Sequence, residues 1–456
     1  MTSPDPSLTP PLSSIDHLNW FRTAAPYINM HRGKTFVVLF GGEAVELEHF
    51  ESLIFDLALL KSLGIRLVLV HGARPQIDAD LSEQGIETQV HNNLRVTTPE
   101  ALRCVLDAVG STRLKIEARF SMGLAGSPMQ HSRIDTVSGN FVTAKPFGVR
   151  DGVDYGHTGA VRSIDTRAIN NCLGNEQIVL LGPLGYSTTG EVYNLLAEQV
   201  AVKAAIELGA DKLILMGESG VLTPASSEAR TPKRELTPAQ AKQVIEQNSL
   251  SVEVKRHLIG AIKACEQGVN RTHLISYQQP GSLLKELFTL DGAGTLVSAD
   301  RFENVYAARD EDAAAICRLL APMVQKGVLI ERSLSDIERD LDRYTVVKRD
   351  GLVVGCAALY QLPTQETEPS CAEVASVAVH PDFRRIGCGE RLIAYLSEQA
   401  ESQGIQELIA LTTQTAHWFL DQGFVEVGVE RMPSERRSRY NPSRSSKIYL
   451  KQLKAH

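Results

Sequence analysis

The 456-residue chain has no C-x-x-C pair, no excess of basic charge and no apolar run longer than a strand. Its seven cysteines (Cys104, Cys172, Cys265, Cys317, Cys356, Cys371, Cys388) are scattered and odd in number, which suits reduced, buried thiols better than disulfides or zinc ligation. No metal is expected. Runs such as Phe36 to Phe40 and Leu67 to Val70 fall far below the ~20 residues that a bilayer requires, so no membrane partner is expected. With 47 basic against 54 acidic residues, the net charge of −7 argues against a nucleic-acid partner held by phosphate contacts. The start, MTSPDPSLTPPLSS, lacks both a basic segment and an apolar one; residues 1–16 read as a flexible tail and the expected location is the cytoplasm. What the chain does hold is 43% hydrophobic residues in a length that, at ~150 residues per domain, suggests two to four domains.

Two patterns follow one another. From Gly33 to about Val297, apolar runs at Thr35–Phe40, Arg66–Val70, Gln177–Leu181, Lys212–Met216 and Thr272–Ser276 alternate with segments of helical spacing such as Phe50, Leu53, Ile54, Leu57 and Leu60. That rhythm predicts a mainly parallel sheet covered by helices. From about Phe302 a helix (Glu311–Lys326) leads into runs at Thr345–Lys348, Leu352–Tyr360 and Ala375–Val379, an antiparallel meander, then a Gly-led helix (Gly389–Glu401), a strand (Glu407–Leu411) and a short helix ending at Gly423. The Gly-rich stretch Asp291–Asp300 marks the boundary, giving an α/β domain over 17–296, a linker at 297–303 and a smaller α/β domain over 304–456.

In the second domain an apolar strand runs through a Pro turn into Arg384-Arg385-Ile386-Gly387-Cys388-Gly389 and a helix. Glycine allows close backbone approach, and the N–H groups and dipole of a helix start favour an anion. The motif, the element order and the Trp418-Phe419-x-x-x-Gly423-Phe424 stretch resemble the GNAT acetyltransferases over the last 150 or so residues. The resemblance implies acetyl-CoA as co-substrate, with Ala378 and Val379 offering strand backbone to the pantetheine and Arg384, Arg385, Ile386, Gly387, Cys388 and Gly389 holding the pyrophosphate.

In the first domain Gly41-Gly42, His71-Gly72, Leu94-Arg95-Val96-Thr97 and Gly182-Pro183-Leu184-Gly185 resemble the amino acid kinase family, whose fold is a three-layer α/β/α sandwich. The catalytic features of that family are altered. Leu39 stands where the kinases have a phosphate-stabilising Lys, Ala73-Arg74-Pro75 replaces a triple-glycine loop, and Glu198 replaces an Asp. Phosphoryl transfer depends on electrostatic positioning, which these changes remove. A kinase-like domain without kinase residues, ahead of a GNAT domain, resembles the bacterial N-acetylglutamate synthases over nearly the full chain. Stretches such as Gly72-Ala-Arg-Pro-Gln-Ile-Asp, Val137-Ser-Gly-Asn and Cys356-Ala-Ala-Leu-Tyr carry that likeness. It implies transfer of acetyl to the α-amine of L-glutamate, feedback inhibition by L-arginine, and a hexamer interlaced by an N-terminal helix over 17–30. An acetylglutamate kinase and a non-catalytic arginine sensor are the alternatives.

The likeness extends to single residues. Tyr27, His273, Glu286, Gly292 and Gly294 match the arginine-binding pattern, and a carboxylate such as Glu286 suits a guanidinium. Between Arg431 and Lys451 lie Arg431, Arg436, Arg437, Arg439, Arg444, Lys447 and Lys451 against one acid, Glu435; most read as a solvated basic face. The family singles out Arg444, Ser446 and Arg332 for the substrate carboxylates. Glu373 resembles the family's general base, acting through a water because a carboxyl of pKa ~4.3 is a poor base for an amine; an exposed strand-edge acid is the other reading. Thr413, in the Thr412-Thr413 pair, can donate a hydrogen bond near the reacting centre. Trp418 stands near where GNAT enzymes carry the Tyr that protonates the leaving thiolate, so the general acid is left open.

Overall fold

The structure, a computed structural model, describes residues 24–25, 27–122, 127, 130–131, 134–219, 235–247, 250–289, 292–298, 305–349, 352–364, 368–381, 387–442 and 446–453. The proposed tail (1–16), most of the N-terminal helix and residues 299–303 of the linker lie outside these. The chain forms two compact units, residues 1–300 and 301–456.

In the first unit eight strands form one sheet: β1 (Thr35–Phe40), β2 (Arg66–His71), β3 (Thr136–Val137), β4 (Ile178–Leu181), β5 (Lys212–Gly217), β6 (Glu235–Leu236), β7 (Arg271–Ser276) and β8 (Thr295–Ser298). Their order is β6-β8-β7-β5-β1-β2-β4-β3, and every neighbouring pair is parallel except β7–β8. β1 is buried at every position because helices cover both faces. Val37 and Leu39 share one core with Val200 and Ala201 of α2 (Ala197–Glu207) and Leu258 of α3 (Val252–Glu266). On the opposite face Phe40 meets Phe50, the first residue of α1 (Phe50–Ser62), with ring centroids 5.9 Å apart. A separate four-stranded sheet, built from 142–146, 159–164, 184–186 and 192–194, completes the unit.

Burial makes this unit acid-sensitive. It lowers the pKa of His31 to about 3 and those of His71 and His273 to about 4. Below the unfolded value of 6.5 the unfolded chain takes up protons that the folded chain refuses, so stability falls as pH drops from 6.5 toward 4. Asp56, raised by burial to about 7, and Glu253, raised by the same cause, act in the opposite sense, but burial also lowers a fourth histidine, His257, so two groups stand against four. The melting temperature should therefore drop between pH 6.5 and 4.5, by a net effect of several kcal/mol; a scan that is flat or rises on acidification would contradict this.

The second unit is a seven-stranded sheet: β9 (Val305–Ala307), β10 (Tyr344–Arg349), β11 (Leu352–Leu362), β12 (Cys371–Val379), β13 (Glu407–Thr412), β14 (Val425–Val427) and β15 (Lys447–Gln452), in the order β9-β10-β11-β12-β13-β15-β14. Only β12–β13 is parallel. Ala313, Ile316 and Leu320 of α5 (Ala313–Gln325) pack on Tyr344, Val346, Cys356 and Ala358 of the sheet. The helix α6 (Cys388–Ser402) buries Leu392, Ile393, Leu396 and Ala400, the period-3.6 stripe of an amphipathic helix.

Candidate functional site

The second unit is opened by one irregularity. β12 pairs β11 regularly from Leu362↔Cys371 to Ala358↔Ala375, then slips so that Cys356 faces Ala378. The slip coincides with Ser376, whose φ of 53° is left-handed although it is not glycine. On its other edge β12 pairs β13 only from Cys371↔Glu407 to Val374↔Ala410; β13 continues to Thr412 against β15 alone. Two strands side by side for four residues therefore stop pairing, and Ala378 and Val379, assigned by sequence to the pantetheine, follow that point.

β12 feeds α6. Gly387 caps the helix at φ +85°, a conformation for which glycine is suited, and as glycine it has no side chain of its own to cap the first N–H groups. Cys388 and Gly389 are buried at the helix start. Arg384, Arg385 and Ile386 lie outside the described residues. A Cβ built on Gly389 would sit 2.7 Å from Trp418 Cζ2, so this position holds glycine because the indole packs on the backbone. Gly389→Val should displace either the ring or the helix start. Given ~1–3 kcal/mol for overpacking, KM for acetyl-CoA should rise about tenfold; an unchanged KM would show that the helix start does not hold the co-substrate.

Glu373 lies on the paired part of β12, opposite Tyr360 of β11 and beside Ile409 of β13. It is no exposed edge acid: its side chain is 16% exposed and takes both ends of one guanidinium, Arg436 Nε at 2.5 Å and Nη2 at 3.0 Å. Arg332 packs over the Tyr360 ring, its guanidinium carbon 4.9 Å from the centroid, and lies 3.9 Å from Asp340. Burial raises the Tyr360 phenol above its ordinary range, so it stays protonated. Glu373 and Arg332 thus belong to one neighbourhood, through Tyr360. Ser446 immediately precedes β15 and its carbonyl accepts from the Tyr440 hydroxyl at 2.9 Å; Arg444 lies outside the described residues. The threonine pair is split. Thr412 is buried and its hydroxyl bonds Thr415 Oγ1 at 2.8 Å, closing the turn after β13, whereas Thr413 is exposed.

The arginine-pattern residues also come together. His273 on β7 and Glu286 on α4 (Ser282–Phe288) are both buried, 2.6 Å apart, and Glu286 Oε2 accepts from Ala293 N–H at 2.6 Å and Gly294 N–H at 2.9 Å. Burial opposes the charge on Glu286, but these donors outweigh it and leave the carboxyl below its ordinary range. With His273 held neutral, its Nδ1–H donates to Glu286 and its Nε2 accepts from Lys212 Nζ at 3.3 Å. Burial lowers the Lys212 pKa to about 7. Gly294 has no room for a side chain, since a Cβ would overlap the Leu274 carbonyl and lie 2.7 Å from Ile275 Cγ2. Gly292 adopts φ +60° in the same turn. Tyr27 is buried one turn before His31, whose ring bonds Leu287 O at 3.0 Å, next to Glu286. Lys212 and Arg436 escaped the sequence reading. The one signal for Lys212 is a lysine opening an otherwise apolar strand; for Arg436 there is none among seven similar cations.

A cavity of about 630 Å³ lies at the ends of β1 and β5, lined by Leu39, Gly42, Arg74 and Glu198 among others. At its wall Gly42 packs closely on the altered loop: a Cβ there would lie 2.9 Å from Ala73 Cα and 3.0 Å from Pro75 Cδ.

Residues 34–276 match the amino acid kinase family and residues 313–424 the acetyltransferase (GNAT) family. An amino-acid acetyltransferase of Ectopseudomonas mendocina is 48% identical over 96% of this chain and all of its own length, as is one of Azotobacter vinelandii. N-acetylglutamate synthase from Neisseria gonorrhoeae is 34% identical, with 96% of this chain and 99% of that one covered. Its complex with coenzyme A and L-arginine gives a TM-score of 0.83, and its complex with coenzyme A and N-acetyl-glutamate gives 0.60. With both domains matched and near-complete relatives at this identity, the chain belongs to the amino-acid acetyltransferases and is an acyltransferase.

Proposed function

We propose that the second unit transfers the acetyl group of acetyl-CoA to the α-amine of L-glutamate, giving N-acetyl-L-glutamate and CoA, and that L-arginine bound in the first unit inhibits it. The observation that carries the first part is the end of the β12–β13 ladder directly beside Glu373: a thioester entering where the strands stop pairing meets a carboxylate one residue before that point. The start of α6, capped by Gly387, takes the pyrophosphate together with Arg384 to Gly389. Backbone at Ala378 and Val379 aligns the pantetheine, and Arg332, Arg444 and Ser446 hold the two carboxylates of glutamate. Glu373 removes the ammonium proton through a water; the free amine attacks the thioester carbon, with Thr413 or its neighbour Thr412 donating near the reacting centre, and the intermediate breaks its C–S bond to release CoA as a thiolate that takes its proton from solvent.

Arginine inhibition rests on the hydrogen-bonded cluster of His273, Glu286 and the Gly292–Gly294 turn, with Tyr27 from the N-terminal segment. A buried, ionised carboxylate suits a guanidinium. Leu39 in place of Lys, and Ala73-Arg74-Pro75 in place of a triple-glycine loop, support a first unit that regulates and does not phosphorylate. Family likeness supports a cytoplasmic hexamer. A carboxylate anchor on Arg444 makes a specific prediction: Arg444→Ala should raise KM for glutamate by about tenfold or more, with KM for acetyl-CoA little changed, since a charged hydrogen bond is worth ~1.5–3 kcal/mol. Unchanged glutamate kinetics would remove Arg444 from the site.

A further inference from the structure

Arg436 belongs by sequence to a solvated basic face, yet its side chain is 18% exposed and its fork closes on Glu373 across 63 residues of chain. The Glu373 hydrogen bond raises the guanidinium pKa against the effect of burial. The helix that carries it, α7 (Ser434–Ser438), is only five residues long and is itself tied down. Its first N–H, from Ser434, donates to Glu368 Oε1 at 3.2 Å. Arg437 Nη2 donates to the carbonyls of Glu430 and Met432 at 2.7 and 2.9 Å, and the Tyr440 hydroxyl donates to the Ser446 carbonyl. The segment from Glu430 to Ser446 is thereby held to β12 at Glu373.

We propose that Arg436 is a positioning residue for acetyl transfer, fixing the direction of the Glu373 carboxylate where β12 and β13 part and joining it to the segment that ends at Ser446. The inference rests on Glu373 being the base. A glutamate side chain has three rotatable bonds, and a base that works through one water needs its acceptor lone pair aimed within a narrow angle. A bidentate guanidinium sets the plane of the carboxylate and occupies one acceptor site on each oxygen, leaving the outer sites for the water. Arg436 stays protonated throughout, so the proton taken from the substrate ammonium rests on Glu373. Lysine would keep the charge and lose the plane.

The test is a double-mutant cycle on the full-length protein with R436A, R436K, E373Q and R436A/E373Q. It measures kcat and both KM values by thiol release, with coenzyme A affinity by calorimetry as the check on folding. R436A should lower kcat at least about tenfold, as misplacement of a catalytic group does, and leave KM for acetyl-CoA and coenzyme A affinity unchanged. R436K should remain impaired, and millimolar guanidinium should restore part of the activity of R436A. In the E373Q background, removing Arg436 should cost less than about threefold more, because the two act as one unit. Wild-type kcat in R436A, or an equal loss in both backgrounds, would overturn the proposal. E373Q at wild-type rate would instead overturn the assignment of the base, a result that the single variant decides alone. If R436A does not fold, R436K in the same cycle carries the test.

Discussion

Glu373→Gln lowers kcat for glutamate acetylation by about two orders of magnitude or more, the usual worth of a positioned general base, and leaves KM for acetyl-CoA close to the wild-type value. The amide has nearly the shape of the carboxylate, so β12 and its pairing to Tyr360 and Ile409 survive. What is lost is the acceptor of the ammonium proton and one side of the contact with Arg436. The guanidinium is only partly buried and can recruit water, so the protein should remain folded. Steady-state thiol release across pH makes the check. A variant within about threefold of wild type would mean that solvent takes the proton and that the pair with Arg436 is structural.

The second large effect falls in the other unit. Glu286→Ala should raise the arginine concentration for half-inhibition at least about tenfold, within the 1–3 kcal/mol typical of allosteric coupling, while uninhibited kcat stays near wild type. Glu286 has three donors in the structure: His273 on one oxygen, and the N–H groups of Ala293 and Gly294 on the other. A carboxylate has about four acceptor sites, so one remains, on the oxygen facing His273. An arginine guanidinium can add there or take the place of His273. Either route fails without the carboxylate, and the turn at Gly292–Gly294 loses the acceptor that orders it. The same substitution leaves two partly buried N–H groups without this acceptor, at up to ~1–3 kcal/mol each, so the melting temperature should also fall. Normal inhibition by arginine in this variant would move the effector to another site.

Much of this was legible in the chain. The runs at Thr35–Phe40 and Lys212–Met216 are central strands because, after the first residue of each, consecutive apolar side chains can be satisfied only by burial on both faces. The glycines at 387 and 389 carried a true signal of close packing, one conformational and one steric. The four-stranded sheet around Val142–Pro146 and Gly159–Ile164 was not legible. Its strands are short and half exposed, so alternation is too weak to separate them from loops. Nor was the grip of Arg436 on Glu373, since pairing across 63 residues is a product of the fold and has no spacing to read. Glu373 is singled out in the sequence by its place in the strand before the loop, but its burial and its partner come only from the folded sheet. The threonine pair illustrates the limit well: adjacent residues of one type part into a buried turn-former, Thr412, and an exposed neighbour, Thr413, by the direction of β13 alone.

The most direct test of the whole account is release of free thiol from acetyl-CoA by the purified protein, with and without L-glutamate and then with L-arginine added. Release should require glutamate and be suppressed by arginine. Intact coenzyme A binding without any glutamate-dependent release would contradict it.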